Sequence, residues 1–202
     1  MNHKSLGFIQ FNSPVILGMT TISFGLLLVG MATGGRSDLF LSLHYTSFLD
    51  PRFYLGIVGY SLVHYDWAHF ISNYLLLLAV GPLVEEKYGS RMLLGMMTAT
   101  ALISAVAHLI VLPGTRLMGA SGLVFMVVLL ASFANFKNGK IPLTLILMAI
   151  LRIGSELFTG ITTVDNISHF GHILGGVCGI VFGFLFHWSK EGPKADNSGW
   201  EV

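Results

Sequence analysis

The sequence predicts an all-α polytopic membrane protein, a bundle of six transmembrane helices. Three observations carry this. Of the 202 residues, 53% are hydrophobic and only 10% are charged, whereas soluble domains carry about 25% charged residues. Six apolar stretches recur along the chain, at 14–33, 69–84, 92–112, 121–136, 141–160 and 168–187. A bilayer-spanning helix needs about 20 such residues, and four of the six approach that length. The formal net charge of +1 gives no reason to expect nucleic acid or a strongly acidic partner; the expected surroundings are the lipid bilayer itself.

Residues 1–13 read as a cytoplasmic N-terminal segment, retained because no clean cleavage site precedes the first apolar run. The membrane domain is expected over 14–187. Its second and fourth spans are short, which implies bilayer thinning or partial exposure to protein and water. The first connection, 34–68, is long and semi-apolar but too interrupted by polar residues to span. It reads as a structured loop in the membrane interface, with Tyr60, Tyr65 and Trp67 as interfacial aromatics. Residues 188–202 read as a polar cytoplasmic tail. The single cysteine, Cys178, lies in an apolar run and excludes an intramolecular disulfide.

Lysine and arginine set the orientation. Lys4, Lys87, Arg91, Lys137, Lys140, Lys190 and Lys194 fall at one set of ends, against Arg36, Arg52 and Arg116 at the other. That bias places both termini in the cytoplasm. Arg152 sits inside the fifth span, four residues from Glu156, and the two read as a mutually neutralising pair. Glu85 and Glu86 read as interfacial charges, and His64 as structural, supporting the first loop or holding water.

On this map five polar residues fall at one depth near the outer face. His69 and Asn73 open the second span, Ser121 the fourth, and His169 and His172 the sixth. Polar groups inside a membrane face the bundle interior or a water-filled cavity and point to function by default. Serine with a histidine base is the chemistry of nucleophilic acyl transfer. Backbone N–H groups at a helix start, joined by His or Asn donors, suit a developing oxyanion. Close helix approach is also encoded: Gly171, Gly175, Gly179 and Gly183 recur every fourth residue, with Gly176 beside them and Gly122 next to Ser121.

These motifs together resemble the rhomboid intramembrane serine proteases. Gly-x-Ser-Gly appears as Gly119-Ala120-Ser121-Gly122, His-x-x-x-Asn as His69 to Asn73, and His-x-x-Gly-x-x-x-Gly as His172, Gly175 and Gly179. The phrase "GPLVEEKYGS" at 81–90 also matches, and the resemblance covers roughly residues 50–187. It implies a six-helix rhomboid-like bundle with Ser121 as nucleophile and His172 as general base. His69, Asn73 and the Ser121 backbone would form the oxyanion site. His169 is the alternative base, favoured by relatives that read Asp-Asn-x-x-His-x-Gly-Gly, but only His172 has glycines at both following motif positions. The resemblance further implies an endopeptidase of transmembrane protein substrates that cuts near their outer ends. No cofactor or metal ion is expected. The location implied is the plasma (inner) membrane of a bacterium. One departure stands out: the family's Trp-Arg pair in the first loop is absent, and "FYLGIVGY" occupies that region.

Three rival functions are weaker. A catalytically dead relative would usually lack the serine or the histidine. A metal-dependent protease built on His64, His69, His169 and His172 lacks a His-Glu-x-x-His motif and leaves Ser121 unexplained. A transporter should show inverted repeats and a midplane polar site.

Overall fold

The computed structural model describes residues 5–6, 9–35, 38–133, 140–141, 143–162 and 169–190. Two residue pairs, Ser5–Leu6 and Ile9–Gln10, form a minimal antiparallel ladder. All else of regular structure among the described residues is helical: α1 (Pro14–Ala32), α2 (Asp38–Leu41), α3 (Pro51–Gly59) with a 3-10 turn at Tyr60–Leu62, α4 (Trp67–Tyr88), α5 (Ser90–Val111), α6 (Ser121–Ser132), α7 (Leu143–Thr162) and α8 (His169–Lys190). The protein is an all-α polytopic membrane protein. Pro14–Ala32, Trp67–Tyr88, Ser90–Val111 and His169–Phe186 are each long and apolar enough to cross a membrane. The other two expected spans correspond to α6 and α7, whose apolar helical stretches are shorter, at Ser121–Ser132 and Ile146–Ser155.

Helix α6 is the centre of the bundle. Every residue from Leu123 to Leu130 is buried, because α4, α5, α7 and α8 all pack against it. At 12 residues it is about 18 Å long. The expected brevity of the second span is corrected, since α4 has 22 residues. Its hydropathy fades at Glu85-Glu86-Lys87, yet the helix runs on to Gly89, whose φ of 85° ends it.

The reason for that extension is Glu85, which is no interfacial charge. It is 2% exposed, and its two carboxylate oxygens accept the N–H groups of Val15 and Ile16 at 3.0 and 3.1 Å. Helix α1 has no cap from Ser13, so the carboxylate of another helix satisfies its orphan donors and meets the positive end of its dipole. Farther along, the Tyr74 hydroxyl donates to Ser23 Oγ at 2.5 Å. Gly81 lets Ile16 approach closely: a Cβ there would stand 2.7 Å from Ile16 Cδ1.

The first loop is structured, as expected. Asp50 caps α3 by accepting the Arg52 N–H at 2.9 Å, and Pro51 suits the first helical position. Without the Trp-Arg pair, an edge-to-face cluster of Tyr45, Phe48, Phe53 and Tyr54 braces the loop. Tyr65 and Trp67 are exposed, as interfacial aromatics should be, but Tyr60 is 4% exposed. Its hydroxyl donates to the Ala101 carbonyl at 3.1 Å, so Tyr60 is a core residue and not an interfacial one. Arg152 and Glu156 lie on α7, and their side chains fall outside the described residues, as do 36–37, 134–139, 163–168 and the tail from 191.

Candidate active site

The segment before Ser121 is held at three amides by the first loop. Leu43 and Leu117 exchange both backbone hydrogen bonds, at 2.9 and 2.8 Å. The Gly119 N–H donates to the Tyr60 carbonyl at 2.8 Å, and the Ala120 N–H donates to His64 Nε2 at 3.3 Å. Gly119 has a φ of 109°, a conformation open mainly to glycine. Helix α6 then starts, and its first ladder bond runs from the Val124 N–H to the Ala120 carbonyl at 3.0 Å. The N–H groups of Ser121, Gly122 and Leu123 precede that bond, and no side chain caps this helix end. An uncapped helix N-terminus is a ready anion site.

Three helix N-termini converge there. From α4, the His69 ring lies against the Gly119 turn. A Cβ on Gly119 would stand 2.5 Å from His69 Cε1 and 2.6 Å from Nε2, so the ring occupies the space that glycine leaves. Asn73, one turn deeper, is buried, and its Nδ2 donates to the His69 carbonyl at 2.9 Å. The sequence reading treats Asn73 as a direct oxyanion donor; part of its donor capacity serves its own helix.

From α8 comes His172. Its ring stacks on Phe125, with centroids 4.7 Å apart and planes at 10°. Phe125 lies one turn after Ser121, so the imidazole rests beside the face that carries the hydroxyl. His69 and His172 are also close enough to act on each other electrostatically. His169 meets the edge of His172 at 6.3 Å between centroids.

The glycine series makes this approach possible. A Cβ on Gly122 would stand 3.1 Å from the Gly171 carbonyl oxygen. Added to Gly175 it would run into the Gly122 carbonyl, to Gly179 into that of Met126, and to Gly183 into the Phe133 ring. Helices α6 and α8 thus pack backbone to backbone from Gly171 to Gly179, and Gly183 makes room for the Phe133 ring.

A small cavity opens beside Ser121, lined by Tyr60, Ser104, Leu117, Gly119, Gly122 and Gly171. The space open to water centres is ≈ 10 Å³, enough for about one water. Burial pushes the Tyr60 phenol up to about 12, so that wall is neutral. Phe125 and Ser104 carry no expectation in the sequence, Tyr60 is expected there only as an interfacial aromatic, and His64 has no expected link to Ser121. Only Phe125 has a local signal, its position four residues after Ser121.

A family model described as Rhomboid domain matches residues 51–189. The chain belongs to the rhomboid family. It is similar to "Rhomboid protease GluP" of Bacillus subtilis (strain 168), with 29% identity over 118 residues. That alignment takes in 57% of this chain and 23% of the relative, so the chain spans about a quarter of that protein's length. The rhomboid match begins at the first residue of α3, so α1 lies outside it and is joined to it through Glu85, Tyr74 and Gly81 of α4.

Proposed function

We propose that this rhomboid is an intramembrane serine endopeptidase that hydrolyses peptide bonds of transmembrane substrates. One observation carries the reading: the uncapped helix start bearing Ser121 has the His69 ring against its Gly119 turn and the His172 ring stacked on Phe125, one turn along. Ser121 Oγ attacks the scissile carbonyl carbon while His172 takes the hydroxyl proton. The carbonyl oxygen becomes an oxyanion, for which the Ser121 N–H and the His69 imidazole are the donors, with Asn73 supporting His69. Collapse expels the amine, which receives the proton from His172, and leaves an acyl-Ser121. A water gives its proton to His172, attacks the acyl carbon, and a second collapse returns the proton to Ser121. His169 stands next to the base and does not carry the proton.

A helix keeps its carbonyls in internal hydrogen bonds, so the substrate must unwind locally to reach Ser121. Unwinding in lipid leaves backbone groups unsatisfied, which favours hydrated surroundings and segments with Gly or Pro. Both termini are assigned to the cytoplasm of a bacterium, and the cut to the outer end of the substrate's span.

The test is incubation of the detergent-purified protein with a single-span substrate, beside Ser121→Ala. Cleavage is expected from the parent alone, with mass spectrometry placing the cut near the outer end. Cleavage by the pure Ser121→Ala protein would overturn the assignment of the nucleophile.

A further inference from the structure

We propose that His64 is a positioning residue for Ser121: its Nε2, as a hydrogen-bond acceptor, fixes the Ala120 amide and through it the direction of the oxyanion-binding N–H of Ser121. This rests on the serine-protease reading above and adds to it a part of the first loop 57 positions earlier in the chain.

Ala120 is held on both sides. The Ala120 N–H donates to His64 Nε2 at 3.3 Å, and the Ala120 carbonyl accepts from the Val124 N–H at 3.0 Å. A trans peptide is planar, so the Ser121 N–H points opposite to the Ala120 carbonyl. Fixing the two peptide planes that flank Ala120 therefore fixes the Ser121 N–H. Helix α6 secures one plane and His64 the other. With the acceptor gone, the Ala120 amide is left buried and unmatched, and rotating toward another partner would carry the Ser121 N–H with it.

His64 is built for a fixed role. It is 1% exposed, and three rings of α4 enclose it edge to face. His69 lies at 5.0 Å, Phe70 at 5.6 Å and Tyr74 at 5.4 Å between centroids. Accepting at Nε2 requires a neutral ring with its proton on Nδ1. Burial, and next the neighbouring His69, hold the imidazole down to about 4, so the accepting form persists at neutral pH. The titratable groups packed on it are His69 and Tyr74 of α4, while the α6 turn offers it only the Ala120 amide. The same ring touches His69, so one side chain supports two proposed oxyanion donors.

The choice of isostere separates positioning from packing. Gln at 64 can set its carbonyl oxygen near the place of Nε2, and Asn near that of Nδ1. The measurements are kcat and KM on a single-span substrate, the rate of Ser121 labelling by a fluorophosphonate, and the thermal midpoint in the same detergent. His64→Gln is expected to keep kcat within about threefold of the parent. His64→Asn and His64→Phe are expected to lose about tenfold or more in kcat and in labelling rate, with KM within about twofold. Gln and Asn variants of equal turnover would overturn the proposal, whether both are active or both dead. So would a folded His64→Phe protein with parental kcat, or losses that track the thermal midpoint alone. A parent that neither cleaves nor labels would instead sink the serine-protease reading.

Discussion

Gly175→Ala measures how closely α8 must lie against α6. The added Cβ would stand 2.6 Å from the carbonyl carbon and 2.9 Å from the Cα of Gly122, and nearer still to the carbonyl oxygen. Non-bonded carbons settle at about 3.5–4.0 Å, so the helices must part by about 1 Å. Both contact surfaces are backbone in intact helices, and neither can swing aside as a side chain would. Overpacking of this kind costs about 1–3 kcal/mol. The larger effect falls on the reaction, because His172 rides on α8 one turn before Gly175 and Ser121 adjoins Gly122. A displacement near 1 Å is expected to lower kcat about 10²-fold. Two neighbours serve as controls. At Gly176 the Cβ would meet Leu129 Cδ1 at 3.0 Å, a movable side-chain end, so the loss should be small. At Gly95 nothing lies within 4 Å, and alanine should be neutral or stabilise α5 by up to about 1 kcal/mol. The assay is kcat on a single-span substrate beside the thermal midpoint. A Gly175→Ala protein with parental turnover and midpoint would refute the claim that this contact sets the base-to-nucleophile distance.

Four further outcomes are expected. His172→Ala should abolish cleavage and His169→Ala only reduce it; a dead His169 variant beside an active His172 variant would exchange their roles. His69→Ala should cost about 10²–10³ in turnover, and Asn73→Ala less, because Asn73 Nδ2 already serves the His69 carbonyl; effects confined to KM would assign both to substrate binding. Glu85→Ala leaves two α1 N–H groups without their carboxylate and should lower stability by about 3 kcal/mol, read by thermal or denaturant unfolding in detergent; an unchanged midpoint would remove Glu85 as the α1 cap. His64 is held near 4 when folded, against an ordinary 6.5. The unfolded chain therefore takes up a proton between those values that the folded chain refuses. Stability is full above about pH 6.5 and falls on acidification toward pH 4, by about 3 kcal/mol from this group. His64→Gln should flatten that part of the profile, and an identical slope in both proteins would exclude His64 as its source.

The parts legible in the sequence are those written locally. Glycines every fourth residue announce one close helix face, and α8 places that face against α6. The alternation of span direction predicts that His69, Ser121 and His172 sit on helix starts at one end, and α4, α6 and α8 begin together there. Hydropathy misjudges α4 because Glu85 breaks the apolar run without breaking the helix, and the reason lies 69 and 70 positions away, at Ile16 and Val15. His64 escapes for the same reason: its partner is 56 positions on, and a backbone amide leaves no mark in a side-chain pattern. Tyr60 looks interfacial by type, and the partner of its hydroxyl, the Ala101 carbonyl, lies 41 positions on.

The length of α6 has a consequence for where water must go. The carbonyl of its C-cap residue, Phe133, accepts from Lys87 Nζ at 2.6 Å, as suits a helix ending at a membrane boundary. With the proposed orientation and the C-cap at the boundary, a helix of 12 residues would climb about 18 Å through a hydrocarbon layer of about 30 Å. Its first residue, Ser121, then stops roughly 12 Å short of the opposite boundary. The space above it would then be a well whose depth is set by the missing turns of one helix, about eight residues' worth of rise. A bilayer thicker by a few ångströms would deepen that well and leave the helix unchanged.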